Sequence, residues 1–407
     1  WPSRDMRFTW WKNPDLGGIA RRIHYTLEGL NVQEYLRGLI RQVYQHLLIH
    51  VYTHADILET GGFVGNFITK VKSEGRVIEI EHGATILATG AEVYQPTEYL
   101  YGEDERVMTQ LELEEQIAKG EERLLNSQSL VMIQCVGCRN EDRNYCSRIC
   151  CSESIKNALK LKELKPEMDI YILFRDIRTY GLREDYYREA ASKNVRFIRY
   201  EPQDGPQVAT AVAEDGRNVL RVTVADPVLG KKLEIDADAL ALAAAVIPSA
   251  GSQEITKLFK VNTSPDGFFQ EAHVKLRPVD FSTDGIYLCG IAHYPKHITE
   301  TISQAYGAAG RALTLLSHDT VIASGSVCEV NESNCISCGA CIAVCTYGAI
   351  KFHDTPRGRK AVVNSVLCKG DGLCNAKCPT RAISLKHYTH DELMCQIDAA
   401  IPDFAVS

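Results

Sequence analysis

Two runs of cysteine near the C-terminal end constrain this chain more than any other feature. Cys335, Cys338, Cys341 and Cys345 follow the spacing C-x2-C-x2-C-x3-C. Cys368, Asp371, Cys374 and Cys378 repeat the same offsets before Pro379, with aspartate where the second cysteine is due. Three thiolates at such intervals in a tight loop, helped by Gly339, can wrap three corners of an iron–sulfur cube. Zinc also takes closely spaced cysteines, commonly as two C-x2-C pairs, but needs only four ligands and has no use for three evenly spaced cysteines followed by a fourth in both halves.

When two such runs share a domain, the fourth cysteine of each ligates the other cluster. The expected first set is therefore Cys335, Cys338, Cys341 and Cys378, and the second Cys345, Cys368 and Cys374 with Asp371. The strand-like "GAIKF" and "RAISL" follow the two runs at matching distances, as the halves of a two-fold ferredoxin would. Asp371 leaves three readings open. As a carboxylate ligand it completes a [4Fe-4S] cluster with a harder, more labile donor; as a bystander it leaves a [3Fe-4S] cluster or a water-bound iron; or it is a solvated loop residue and no second cluster exists. Cys289, Cys328 and Cys395 fit no spacing and read as plain buried or helix-facing thiols.

The 407 residues allow two or three domains, and 45% hydrophobic with 24% charged residues is ordinary for a soluble protein. A net charge of −7 without a basic stripe argues against nucleic acid or an anionic membrane as the main partner. The most apolar stretch, Ala239 to Ile247, is far shorter than the roughly 20 residues that span a bilayer. The opening "WPSRDMRFTWWKNPDLGG" lacks the charged and apolar regions of a secretory signal. Fifteen cysteines at metal-ligand rather than disulfide-framework spacing then imply a reducing, cytoplasmic setting.

Ahead of the cysteine runs the pattern is α/β. "NVQEYLRGLIRQVYQ" has helical spacing and "LLIHVYT" reads as a strand, followed by strands at "FVGNFITKV", "RVIEIE" and "ATILATG". A strand at Leu130 to Gln134, the helix "SESIKNALKLKEL", the strand "MDIYILF", the helix "DYYREAASKN" and the strand "VRFIRY" alternate as in an open parallel sheet. Residues 206–237 suggest two or three antiparallel strands, and "ADALALAAAV" a fully buried one.

Between the Leu130 strand and the next helix lies "CVGCRNEDRNYCSRICC", with Cys135, Cys138, Cys146, Cys150 and Cys151. A helix start stabilises thiolates and anionic groups through its free N–H donors. The spacing alone leaves an iron–sulfur site, a zinc site and a redox dithiol at Cys135 and Cys138 open.

Several stretches carry a family resemblance: "GGFVGNF", "GATILATGAEVYQP", "IQCVGCR…YCSRICC", "FRDIRTYG", "GFFQEAHVKLRPVDFSTDGIYLCGIAHYPKHITETISQA" and the C-terminal cysteine domain. Together they are similar to the heterodisulfide reductase A (HdrA-like) family. The resemblance implies a thioredoxin-reductase-like, Rossmann-type FAD-binding α/β body and an α+β two-cluster ferredoxin domain. The implied divisions are a partial FAD-binding domain at 1–125, a cluster-bearing nucleotide-like domain at 126–250, the return of the FAD-binding domain at 251–325, the ferredoxin domain at 326–388 and a docking helix at 389–407. It also implies Cys135, Cys146, Cys150 and Cys151 as cluster ligands, with Cys138 spare, for about three clusters in all.

For the flavin, the implied residues are Gly17, Gly18, Thr89, Gly90, Gly290, Ile291, Lys296 and Ile298. "LATG" ends a buried strand where only small residues let a dinucleotide approach. Gly290 reaches a strand end facing the next helix, and Lys296 is expected near the isoalloxazine, where it would favour the reduced anion. The G-x-G-x-x-G fingerprint due before "FTWWKNPDLGG" is missing, so that half is expected in preceding sequence or on another polypeptide. Ala245, where a glycine would admit a pyridine nucleotide, argues against NAD(P)H.

The implied role is electron transfer between FAD and clusters, with flavin-based bifurcation as an extension. The implied partners are heterodisulfide reductase B- and C-like subunits, a hydrogenase or formate dehydrogenase module and ferredoxin, around a homodimer. The competing readings are an NAD(P)H-dependent disulfide reductase and an iron–sulfur wire with a vestigial flavin site.

Overall fold

The structure, a computed structural model, describes residues 7–10, 14–320 and 325–401. The chain divides into two compact units. One holds Trp1–Thr60, Ile68–Glu81 and Thr85–Leu313; the other holds Gly61–Phe67, His82–Ala84 and Thr314–Ser407.

The first unit is built on a five-stranded sheet in the order Val195–Arg199, Asp169–Phe174, Ser129–Val136, Ala239–Ala244, Val107–Thr109. Every neighbouring pair runs parallel. Such sheets are covered on both faces, which is why their strands read as unbroken apolar runs. Leu130, Met132 and Ala241 face the helices Gln110–Lys119 and Cys150–Leu164 through Leu113, Ile155, Ala158 and Leu161. Val131, Ile133, Leu240 and Leu242 face the antiparallel three-stranded sheet of residues 207–237 through Leu220, Val222, Val224 and Ile235.

From Ser129–Val136 the chain passes through helix Cys150–Leu164 to Asp169–Phe174, then through helix Glu184–Ser192 to Val195–Arg199. The sheet grows in one direction along that path, while Ala239–Ala244 adds on the other side of Ser129–Val136. The strand order therefore switches between these two strands, and their carboxyl ends flank the place where an open α/β sheet offers a crevice.

A second parallel pair, Thr85–Leu87 with Ile286–Leu288, brings "LATG" beside "LCG", and the Cys289 N–H donates to Leu87 O at 3.2 Å. The sequence run "FVGNFITKV" does not form one strand. Ala55–Phe63 turns at Val64 and Gly65 into Asn66–Ser73. Gly65, at φ +82°, takes a backbone conformation that interrupts the alternation without any polar turn signal.

In the second unit, Cys328–Val330 pairs antiparallel with Ile383–Leu385, and Ile350–Thr355 with Gly358–Val363. Short helices Ala340–Val344 and Leu373–Lys377 complete a two-fold repeat. Its backbone matches in detail: Ser337, Gly339 and Gly348 have φ of 61°, 78° and 61°, and Gly370, Gly372 and Arg381 have 67°, 74° and 52°. The core contains thiols, with Cys328, Cys341 and Cys374 packed beside Ile350, Ala361 and Ile383. The tail helix His390–Ala400 starts on a Thr389/Glu392 capping box and leaves Leu393, Met394 and Ile397 exposed. Among the described residues, no helix is long and apolar enough to cross a membrane.

Candidate metal centres and cofactor crevice

In the second unit, Cys335, Cys338, Cys341 and Cys378 line one recess with Gly339, Phe352, Ala361 and Ala382. Three of these thiols come from one run and the fourth from the other, so the crossed set expected from the spacing is brought together. Gly339 lets the chain turn into the short helix that carries Cys341. The Cys378 sulfur accepts the Ala382 N–H at 3.2 Å, and its partner in the repeat, Cys345, accepts the Ala349 N–H at 3.4 Å. Burial raises the Cys378 thiol, but backbone N–H groups led by that of Ala382 outweigh it and leave its pKa lowered. Donors of this kind favour thiolate over thiol. The donor set, soft sulfur around a recess of mostly apolar walls, fits an iron–sulfur cluster.

The matching site in the other half holds Cys368 and Cys374, with Cys345 in the same core. Asp371 is exposed, and its Oδ1 accepts the Leu373 N–H at 3.1 Å, closing a turn at the start of the helix. A fourth thiol that motif spacing gave no reason to include stands at this site. Cys328 Sγ lies 3.4 Å from Cys374 Sγ, and the Cys328 N–H donates to Cys368 Sγ at 3.4 Å. Only the antiparallel pairing of Cys328–Val330 with Ile383–Leu385 brings it there. Among the described residues, no three Cys, His, Asp or Glu side chains converge on a point where one metal ion would sit. A four-iron cluster fills the space between its ligands and so calls for a wider spacing.

In the first unit the five remaining motif cysteines gather at the strand-order switch. Cys135, one residue before the end of its strand, has φ +64°, and Cys135 and Cys138 pack with Ala245, Tyr94 and Ile247. Gly137 turns the chain at φ +74°, and a Cβ there would lie 2.1 Å from the Tyr94 ring. Cys150 and Cys151 open their helix and point apart, the first sulfur toward Ala244 O and the second toward Asp176 O. Cys146 Sγ accepts the Arg148 N–H at 3.3 Å.

The loop is stitched to the sheet. Tyr145 donates to Val246 O at 2.8 Å, and the Val246 N–H donates to Ser147 Oγ at 2.9 Å. The Cys138 thiol, hydrogen-bonded to Cys135, holds the Cys135 pKa down to about 6 against burial, with help from Arg139 and Arg175. Burial pushes Cys151 up to about 11 and Cys150 well above the usual thiol range. Arg139 pairs with Asp176, which also pairs with Arg178. Sulfur donors rimmed by guanidinium groups fit an anionic cluster.

The residues expected at the flavin lie in the same unit. Gly90 follows its strand at φ +76° with open space where a Cβ would stand, and Thr89 precedes it just beyond Leu87, whose carbonyl takes the Cys289 N–H from the adjoining strand end. That opening fits close approach by a dinucleotide. The Gly290 N–H is already given to Gln304 Oε1 at 2.9 Å. Lys296 Nζ donates to Gly290 O at 2.7 Å and Tyr294 O at 2.8 Å, and burial lowers its pKa to about 8. Ile291 lies in the short turn Gly290–Ala292, and Ile298 opens the helix Ile298–Leu316. Gly17 and Gly18 lead a short helical turn at positive φ, away from these strand ends in sequence. The loop after Gly290 touches the cysteine loop: Tyr294 donates to Cys146 O at 3.1 Å, and Arg148 pairs with Glu300 at 2.9 Å.

Comparison with known proteins agrees with this arrangement. Residues 334–382 match the family described as the 4Fe-4S dicluster domain. The chain is 37% identical over 352 residues to the A component of the H(2):CoB-CoM heterodisulfide,ferredoxin reductase of Methanothermobacter thermautotrophicus, covering 83% of this chain and 52% of that protein. It belongs to the heterodisulfide reductase A-like family. The A component of the ferredoxin:CoB-CoM heterodisulfide reductase of Methanosarcina acetivorans is 32% identical over 80% of this chain and 45% of its own length. The chain thus spans about half the length of the curated relatives it matches. Among solved structures, thioredoxin reductase of Lactococcus lactis superposes with a TM-score of 0.50 at 15% identity, covering 76% of this chain and 90% of that one. The fold of this family member is accordingly the thioredoxin-reductase-like α/β type expected from sequence, joined to a dicluster domain.

Proposed function

We propose that this chain is the electron-transfer segment of an iron–sulfur flavoprotein oxidoreductase, a component that moves electrons between FAD and [4Fe-4S] clusters within a heterodisulfide-reductase-like complex. The observation that carries the reading is the recess lined by Cys335, Cys338, Cys341 and Cys378, a crossed ligand set drawn from both halves of the repeat. When bound, the clusters supply one-electron steps and the flavin converts between one- and two-electron chemistry.

The residues of the chain bind, orient and insulate. Cys135, Cys146, Cys150 and Cys151 would hold a cluster at the strand-order switch, with Cys138 as neighbour and the Arg139–Asp176–Arg178 group balancing its charge. Thr89, Gly90, Gly290, Ile291 and Ile298 would border the flavin. Lys296 would add positive charge beside it through a loop that its own ammonium braces. Gly17 and Gly18 would contribute from the end of the second half of the nucleotide unit, the half this chain holds. The Tyr294–Cys146 contact supports a short path from that loop to the cluster. In the second unit Cys345, Cys368 and Cys374 would hold the second ferredoxin cluster, and the domain would pass electrons to ferredoxin or to heterodisulfide reductase B- and C-like subunits. A hydrogenase or formate dehydrogenase module is the donor class this reading requires, with two copies of the chain in the complex.

The test is iron, acid-labile sulfide and flavin content of the anaerobically purified protein, with EPR of oxidised and reduced states. Flavin together with about three clusters per chain is expected, and colourless protein would overturn the reading. Bifurcation is the finer part of the proposal. It requires one-electron flavin potentials that cross, and a potentiometric titration giving well-ordered, uncrossed potentials would exclude it.

The Cys135–Cys138 contact supports one second reading, a redox dithiol working with NAD(P)H. It needs nucleotide access at Ala245, which is fully buried against those cysteines. Flavin bleaching by NADPH in rapid mixing would decide for it.

A further inference from the structure

We infer that Cys328 is the fourth ligand of the second ferredoxin cluster, taking the corner that Asp371 leaves. The inference rests on the reading that Cys345, Cys368 and Cys374 bind such a cluster, and it goes beyond that reading by naming a ligand that lies outside both cysteine runs.

Three observations converge on it. Cys328 is 3% exposed, with its sulfur 3.4 Å from Cys374 Sγ and its backbone N–H on Cys368 Sγ, so it stands inside the site and not beside it. The repeat supplies the second observation. The offset that carries Cys335 onto Cys368 and Cys341 onto Cys374 carries Cys328 onto Ala361, and Ala361 lines the recess of the first site. The fold therefore aims this strand position at a cluster in both halves, with a methyl group where the run has all its cysteines and a thiol where the run has lost one. Third, Asp371 is exposed and its carboxylate closes the turn to Leu373.

Ligand chemistry points the same way. Iron in these clusters prefers thiolate to carboxylate, and a separation of 3.4 Å is far from the roughly 2.05 Å of a disulfide. On ligation the Cys328 thiol gives its proton to solvent, one iron–sulfur bond forms, and the water otherwise on the corner iron leaves. No electron is gained or lost. The second cluster is then all-thiolate, with one ligand arriving from a strand far upstream of its run.

The experiment compares the wild-type full chain, purified anaerobically, with Cys328→Ala, Cys328→Ser and Asp371→Asn, by iron and sulfide analysis and by EPR of oxidised and reduced protein. Asp371→Asn keeps a turn acceptor, and the signal of the first cluster reports whether each variant folds. The expected result is that Cys328→Ala loses about one iron per chain with a new three-iron signal, or about four irons with the second cluster's signal. Cys328→Ser is expected to retain the cluster at a shifted potential, and Asp371→Asn to match wild type. Cys328→Ala with wild-type iron and both signals would overturn the inference, as would corner loss in Asp371→Asn or a Cys328–Cys374 disulfide seen by mass spectrometry. Wild-type protein with a single ferredoxin cluster would overturn the second-cluster reading itself, a result distinct from these.

Discussion

His297 and Lys296 sit side by side, yet burial acts on them with different consequences. His297 has a buried Nε2 without a hydrogen-bond partner, and burial lowers its pKa from 6.5 to about 4. The folded protein therefore binds fewer protons than the unfolded chain between those values. The stability that the neutral ring contributes is fully present above pH 6.5 and is lost as the pH falls toward 4. His297→Gln should remove this dependence, on the order of 2 kcal/mol over the window. Urea midpoints that fall equally in variant and wild type on acidification would contradict it.

Lys296 differs because its ammonium satisfies two carbonyls, Gly290 O and Tyr294 O. Lys296→Met should cost about 1–3 kcal/mol by leaving them unpaired, and should lower flavin content by loosening the Gly290 turn. Flavin retention together with unchanged urea midpoints would contradict that role. Sequence alone raised an expectation for Lys296 but could not show that its ammonium bonds Gly290 O and Tyr294 O, because a lysine's partners six residues back are not encoded in any spacing.

At the scale of elements, the helices Gln110–Lys119 and Cys150–Leu164 are tied by a buried ion pair. Lys156 Nζ lies 2.8 Å from Glu114 Oε2 and 3.0 Å from Glu153 Oε2, and Glu114 also accepts the His24 and Tyr25 N–H groups. Lys156→Met should cost about 3–5 kcal/mol by stranding a carboxylate, and adding Glu114→Gln should recover part of it. A double-mutant cycle in urea checks both. Gly137→Ala should remove iron from the site proposed at Cys135–Cys151 and leave the dicluster signals intact, since the turn needs positive φ and Tyr94 fills the space.

The alternation of helices and strands around the five-stranded sheet was legible because each buried parallel strand is an apolar run such as "LVMIQCV". The hairpin at Val64 and Gly65 was not, since the run stays apolar up to the turn and only Gly65, at positive φ, marks it. The crossed set Cys335, Cys338, Cys341 and Cys378 was legible because three of its members are local. Cys328 was not, because its approach to Cys368 and Cys374 follows from strand pairing across the whole repeat.

For the whole molecule, the two units differ in what holds them together. The first has broad apolar layers on both faces of its sheet. The core of the second is in large part cysteine, with Cys328, Cys341 and Cys374 buried and Cys335, Cys345, Cys368 and Cys378 packed against them. Small domains of this kind draw stability from the metal they bind. Stripping iron with a chelator under reducing conditions should therefore expose the backbone amides of 328–385 to hydrogen exchange while those of Ser129–Val136 and Ala239–Ala244 stay protected. Equal protection in both units after iron removal would show that the second core stands on its apolar residues alone.

The seams at Val246 carry one more implication. Tyr145 and Ser147 fasten the cysteine loop to the strand Val246–Pro248 through both backbone polar groups of one residue, Val246, and the surrounding guanidinium groups are themselves paired. A cluster held there, as proposed, would have little freedom to shift its ligands or surrounding dipoles when its charge changes by one. The nuclear rearrangement accompanying each electron would then be small, and the barrier to transfer would be set chiefly by distance and driving force.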